Sequence, residues 1–87
     1  MKSYIIKLTQ YEWDDEFVYL TTDDNVSLSD ISRELDTMDK LLRKEDENGG
    51  CIYDNIGCNS SSLMNEVCRY TGWTWRRLYA DVSFEIG

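Results

Sequence analysis

Residues 27–44 read SLSDISRELDTMDKLLRK, and they decide the fold. Leu28, Ile31, Leu35, Met38 and Leu42 recur at spacings of three and four. That period puts them on one narrow stripe of an amphipathic helix. Ser27 and Asp30 are spaced as an N-cap and a third helical residue, a capping box with Asp in place of Glu. Val26 and Ile31 occupy the hydrophobic-staple positions around that cap. Asp36 with Lys40, and Asp39 with Arg43, are i,i+4 pairs in the favourable acid-first order. Arg43 and Lys44 suit a helix C-terminus and Glu45-Asp46-Glu47 do not, so the helix is expected to end near Lys44. Asn48-Gly49-Gly50 then reads as loop.

Upstream of this helix the period is two. Tyr4 to Trp13 reads as a strand, with Tyr4, Ile6 and Leu8 on one face and Ile5, Lys7 and Thr9 on the other. Asp14-Asp15 interrupts, and the β-formers Phe17 to Thr21 make a second strand, so an antiparallel hairpin is expected. Thr22-Asp23-Asp24-Asn25 is a polar turn into the helix.

Downstream, residues 51–59 carry no single pattern: Cys51-Ile52-Tyr53 fits a short strand and Gly57 a turn. Ser60, Ser61 and Ser62 offer N-caps for a second helix. Leu63, Val67 and Tyr70 share its face, and Gly72 stops it. From Leu78 the alternation is strict, with Ala80, Val82, Phe84 and Ile86 on its side and Tyr79, Asp81, Ser83 and Glu85 opposite. Trp73, Trp75 and Arg77 either begin that strand or cover a sheet edge. The expected fold is one α+β domain over residues 1–87. Its order is β-β-α-α-β: a small, mostly antiparallel sheet with two helices packed on one face, the last strand joining the hairpin.

Seventeen acids against nine bases, with no histidine, give a formal net charge of −8 and a pI near 4.3. Such a surface repels nucleic acid and anionic membranes and is drawn to basic surfaces. A 13% aromatic content is too high for a disordered acidic tail. Polarity returns at Lys7, so no secretion signal is expected, and no run is apolar enough to span a membrane. Three cysteines, an odd number, argue against a disulfide framework and fit a reducing cytoplasm.

These residues leave little room for catalysis. Without histidine there is no Ser/His or Cys/His pair and no ordinary base near neutral pH. Paired carboxylates suit glycoside hydrolysis only in a sugar-sized cleft, which so small a core hardly shapes. The expectation is a protein that is not an enzyme and binds no cofactor. Cys51, Cys58 and Cys68 lack a C-x-x-C pair, and we read them as small hydrophobes rather than zinc ligands. The acidic runs lack the alternating ligands of a calcium loop, and Gly49-Gly50 lacks the Lys of a P-loop. Trp73-Thr74-Trp75-Arg76-Arg77 is the one basic-aromatic cluster, and the net charge opposes its use on nucleic acid.

The acids fall in groups, and any one of them alone is ordinarily solvated surface. The partner-binding candidates are Glu12, Asp14, Asp15, Glu16, Asp23, Asp24, Asp30, Glu34, Glu45, Asp46 and Glu47. Asp30 and Glu34, at i,i+4 on a helix, have Cβ atoms about 5–6 Å apart. A nucleic-acid strand offers a comparable row, one phosphate per about 3.4 Å. A folded acidic protein can thus fill a Lys/Arg groove built for DNA or RNA, with carboxylates taking the bidentate contacts of phosphates.

In size, acidity, lack of histidine and the clusters Asp14-Asp15-Glu16, Asp23-Asp24 and Glu45-Asp46-Glu47, the chain resembles the small acidic inhibitors encoded by phages and mobile elements. Anti-CRISPR proteins and antirestriction DNA mimics are the families meant. The resemblance implies a cytoplasmic inhibitor acting in a bacterial host. It would bind a basic nucleic-acid-binding protein, such as a CRISPR effector nuclease or a restriction enzyme, and block its nucleic-acid site by occupancy. It implies no direct contact with nucleic acid or membrane. A competing expectation is a regulatory interaction module. On that reading Trp13, Trp73, Trp75 and Tyr79 leave an apolar patch for a homodimer or another protein.

Overall fold

The two-residue period of the N-terminal segment becomes a hairpin whose inner face is apolar. The computed structural model describes residues 1–10 and 13–78, with side chains throughout except at Gln10 and 13–15. Strand β1 (Lys2–Gln10) pairs antiparallel with β2 (Trp13–Thr22), with Tyr4 opposite Leu20 and Ile6 opposite Val18. The register shifts between Leu8 and Gln10. Such an irregularity adds local twist to the strand pair. Strand β3 (Thr74–Leu78) pairs antiparallel with the other edge of β2, so the sheet order is β1-β2-β3. The C-terminal segment therefore joins the hairpin as expected. The alternating run over 79–86 lies outside the described residues. Its first member, Leu78, pairs with Phe17, on the sheet face opposite that of Val18 and Leu20.

Helix α1 (Leu28–Arg43) begins where its capping box predicts. The Ser27 hydroxyl accepts the Asp30 N–H at 3.2 Å, and the Asp30 carboxylate accepts the Ser27 N–H at 2.9 Å. Val26 packs on the core, and its carbonyl accepts the Tyr4 hydroxyl at 2.6 Å, tying the helix entry to β1. The helices cover one face of the sheet. Ile31 of α1 and Met64 of α3 (Ser60–Thr71) meet Leu8, Val18 and Leu20 in one cluster. Leu42, Tyr53, Leu63 and Val67 form a second, and Leu35 and Trp73 touch both. Each such buried side chain contributes about 1.5–3 kcal/mol relative to exposure.

The fold is thus α+β, with an antiparallel sheet and helices on one side, but among the described residues there are three helices rather than two. Residues 51–53 do not form a strand. They open α2 (Ile52–Ile56), a single short turn. Its start is fixed by the Asp54 carboxylate, which accepts the Cys51 N–H at 2.8 Å. Burial of Tyr53, only 2% exposed, docks it. The cap of α3 is Asn59 rather than a serine of 60–62; its side-chain oxygen accepts the Ser62 N–H at 2.9 Å. Gly72 ends α3 at φ +83°, a left-handed conformation that glycine adopts without penalty. Two stripe assignments also change. Leu28 is 61% exposed, because the first residue of α1 precedes the helix's passage over the sheet. Tyr70 is 79% exposed, because Leu63, Met64 and Val67 already fill the core face of α3.

Candidate functional site

The acids divide into those bound within the fold and those left to solvent. Both i,i+4 pairs expected on α1 are formed: Asp36 with Lys40 at 2.9 Å and Asp39 with Arg43 at 3.1 Å. Asp39 also accepts the buried Tyr53 hydroxyl at 2.8 Å, and the Arg43 guanidinium lies 5.4 Å from the Tyr53 ring centroid. Burial and then the Asp39 bond push the Tyr53 phenol well above its ordinary range.

Of the eleven partner-binding candidates, Glu12 and the side chains of Asp14 and Asp15 lie outside the described residues. Glu16 stands opposite Leu8 on β1. It pairs with Arg77 at 3.3 Å and accepts the Ser60 hydroxyl at the start of α3. Arg77 also bonds Ser61, while its buried Nε has no hydrogen-bond partner among the described residues. Asp24 pairs with the Met1 amine at 2.5 Å, which holds its carboxyl below the usual carboxylate range. Asp30 is held low mainly by the Ser27 amide and hydroxyl, then by Arg33 at 2.8 Å. Asp23 and Glu34 make no ion pair among the described residues.

The remaining three, Glu45, Asp46 and Glu47, are exposed together where α1 gives way to α2. Asp46 builds this corner. Its carboxylate accepts the Asn48 N–H at 2.8 Å and the Gly50 N–H at 3.0 Å, and its own N–H donates to the Gly50 carbonyl at 2.7 Å. Gly50 passes between two carboxylates: a Cβ there would stand 3.6 Å from an oxygen of Asp46 and 3.6 Å from one of Asp54. Four carboxylates therefore gather at one loop. No Lys or Arg occurs in sequence between Lys44 and Arg69, and none of the four carboxylates forms an ion pair among the described residues. Backbone amides hold the Asp46 and Asp54 carboxylates in place, and the loop they shape carries the exposed Glu45 and Glu47.

A second feature was not read from the sequence. Leu41 and Ile52 are 52% and 43% exposed, and with Met38 and Tyr70 they line a groove of about 450 Å³ on the outer side of α1 and α3. An adjoining hollow of about 330 Å³ shares Met38, Leu41 and Tyr70. The aromatic patch was expected instead from Trp13, Trp73, Trp75 and Tyr79. Trp73 and Trp75 are half-buried against the core, and the Trp75 indole donates to Asn65 at 3.0 Å. Trp13's side chain and Tyr79 lie outside the described residues. The signal for the groove was Leu41 itself, an apolar residue one step off the stripe that ends at Leu42.

The opposite sheet face carries Ile5, 65% exposed, with Lys7 over Phe17 at 6.0 Å and Arg76 over Tyr19 at 4.8 Å. Among the described residues no three Cys, Asp or Glu side chains converge closely enough to hold a metal ion, the four carboxylates of the acidic loop included. The cysteines are free thiols, and burial pushes that of Cys68 up to about 11. No described helix is long and apolar enough to cross a membrane. Comparison with known proteins gives no match: no family model fits the chain, and no curated protein or solved structure is significantly similar to it.

Proposed function

We propose that this protein is a binding protein that occupies the basic nucleic-acid site of another protein, a CRISPR effector nuclease or a restriction enzyme, and blocks it by charge mimicry. The supporting observation is the corner formed by Glu45, Asp46, Glu47 and Asp54, four carboxylates on an ordered loop without a cation beside them in sequence after Lys44. Arg and Lys of the partner meet them where phosphates otherwise lie, and association is fast and salt-sensitive. Asp23 and Glu34 extend the charge available to the partner. Glu16, Asp24 and Asp30 serve chiefly to close the fold. The test is competition: the protein is added to an effector nuclease and target-DNA binding is measured at low salt. Unchanged DNA binding across several effectors, with the protein in excess, overturns the proposal.

A second reading, a regulatory module that binds through apolar surface, is favoured by the exposed Leu41 and Tyr70 on the α1–α3 groove. Salt separates the two. At about 1 M, where the Debye length is about 3 Å, a charge-driven complex dissociates and an apolar one persists.

A further inference from the structure

We infer that the groove between α1 and α3 is a self-association surface, covered by a second copy of this chain across a two-fold axis. The inference stands apart from the acidic corner itself, takes Glu34 into the rim of the groove, and competes with the apolar-module reading for the same face.

Exposed apolar residues scattered singly are ordinary. Here Leu41, Ile52 and Tyr70 are exposed on one continuous groove, with the half-buried Met38 at its floor. Tyr70 lines both lobes, so it stands at their junction. Seated in the matching lobe of a second copy, its ring buries apolar area while its hydroxyl stays at the wet rim, the arrangement that enriches tyrosine at interfaces.

Charge selects the occupant. The chain carries 17 acids and 9 bases, yet the rim of this groove carries two of each: Glu34 and Glu66, Arg33 and Arg69. On a molecule of net charge −8, a locally neutral face is where two copies approach with least repulsion. A two-fold axis sets each face against itself, so a face with equal numbers of both signs has within itself the partners for every rim charge of the second copy. Glu34 has no ion pair among the described residues, and the Arg69–Glu66 contact is long at 3.5 Å and exposed on the arginine side. Both are therefore available for exchange between copies.

Sedimentation equilibrium of the full chain tests this. The mass is expected to rise from 10.2 kDa toward twice that value with concentration, and the dimer to persist at about 1 M salt. Leu41→Lys and Tyr70→Ser are each expected to raise the dissociation constant about thirtyfold or more, as central interface residues do. Both positions are exposed, so the far-UV circular dichroism stays near that of the parent, and so does the thermal midpoint at concentrations where parent and variant are monomeric. Ile5→Lys, on the far face of the sheet, leaves the dimer intact. A chain that remains monomeric at millimolar concentration overturns the inference. So does a dimer that survives Leu41→Lys combined with Tyr70→Ser, or one lost on Ile5→Lys alone. A monomer whose groove takes an amphipathic helix of another protein also overturns it.

Discussion

Tyr53→Phe removes one hydroxyl and leaves the ring, so it isolates the bond that docks α2. That hydroxyl donates to Asp39 at 2.8 Å from a side chain only 2% exposed. A hydrogen bond to a charged acceptor contributes about 1.5–3 kcal/mol net. Asp39 keeps both contacts from the Arg43 Nε at 3.1 Å, so its carboxylate is not orphaned. The contact of Arg43 with the ring also survives. The expected cost is therefore at the lower end, about 1.5 kcal/mol at neutral pH. Alkali gives the same bond a second signature. The ordinary phenol pKa is 10.0, and burial, then Asp39, raise it in the folded chain. With the folded value above the unfolded one, the stabilisation is complete below pH 10 and is lost above it, as the unfolded chain ionises first. One pH unit beyond the unfolded value removes about 1.4 kcal/mol. The variant has no such group at position 53, so the difference between the two proteins isolates it. The gap between parent and variant should thus be about 1.5 kcal/mol near neutrality and almost closed at about pH 11. Urea unfolding followed by tryptophan fluorescence at several pH values reads both. Equal stabilities at neutral pH, or a gap that stays constant into alkali, would refute the docking role of the hydroxyl.

Glu45→Gln with Glu47→Gln is expected to leave stability within about 0.5 kcal/mol, since both side chains are exposed. The same pair of changes is expected to weaken competition with DNA for the effector and to flatten its salt dependence; an undiminished competitor would move the contact elsewhere. Met64→Ala, at a fully buried position facing Val18 and Leu20, is expected to cost about 2–5 kcal/mol by chemical denaturation. Gly72→Ala forces a Cβ into φ +83° and is expected to cost about 1–2 kcal/mol, although no atom lies within 4 Å of that Cβ. A neutral result there would mean that the α3 end relaxes.

The elements with a strong period were legible before any coordinates. The capping box of α1, its two i,i+4 pairs and the inward faces of the hairpin all followed from spacing, because each rests on neighbours one to four residues away. What failed depends mostly on packing partners outside that range. Residues 51–53 looked strand-like because Ile52 and Tyr53 are apolar, yet their helix is set by Asp54 and by a tyrosine reaching Asp39 on α1. Leu28 and Tyr70 fit their stripes by count but sit at helix ends, where the packing partner has run out. The acidic candidates show the same divide. Composition gave the excess charge, but only geometry distinguishes Glu16, folded against Arg77 and Ser60, from Glu45 and Glu47, which face water. Leu41, off its stripe, was the one trace of the groove, whose other wall comes from α3, far along the sequence.

The double duty of Asp46 has an evolutionary corollary. Its carboxylate staples the loop by accepting two backbone amides, whereas its flanking glutamates fasten nothing. Drift is therefore expected to be lopsided across the triplet. Positions 45 and 47 are free to gain, lose or invert charge as a counterpart surface changes, and position 46 is held to aspartate or its amide by the shape it maintains. A lineage could retune what it grips one substitution at a time without rebuilding the loop that does the gripping.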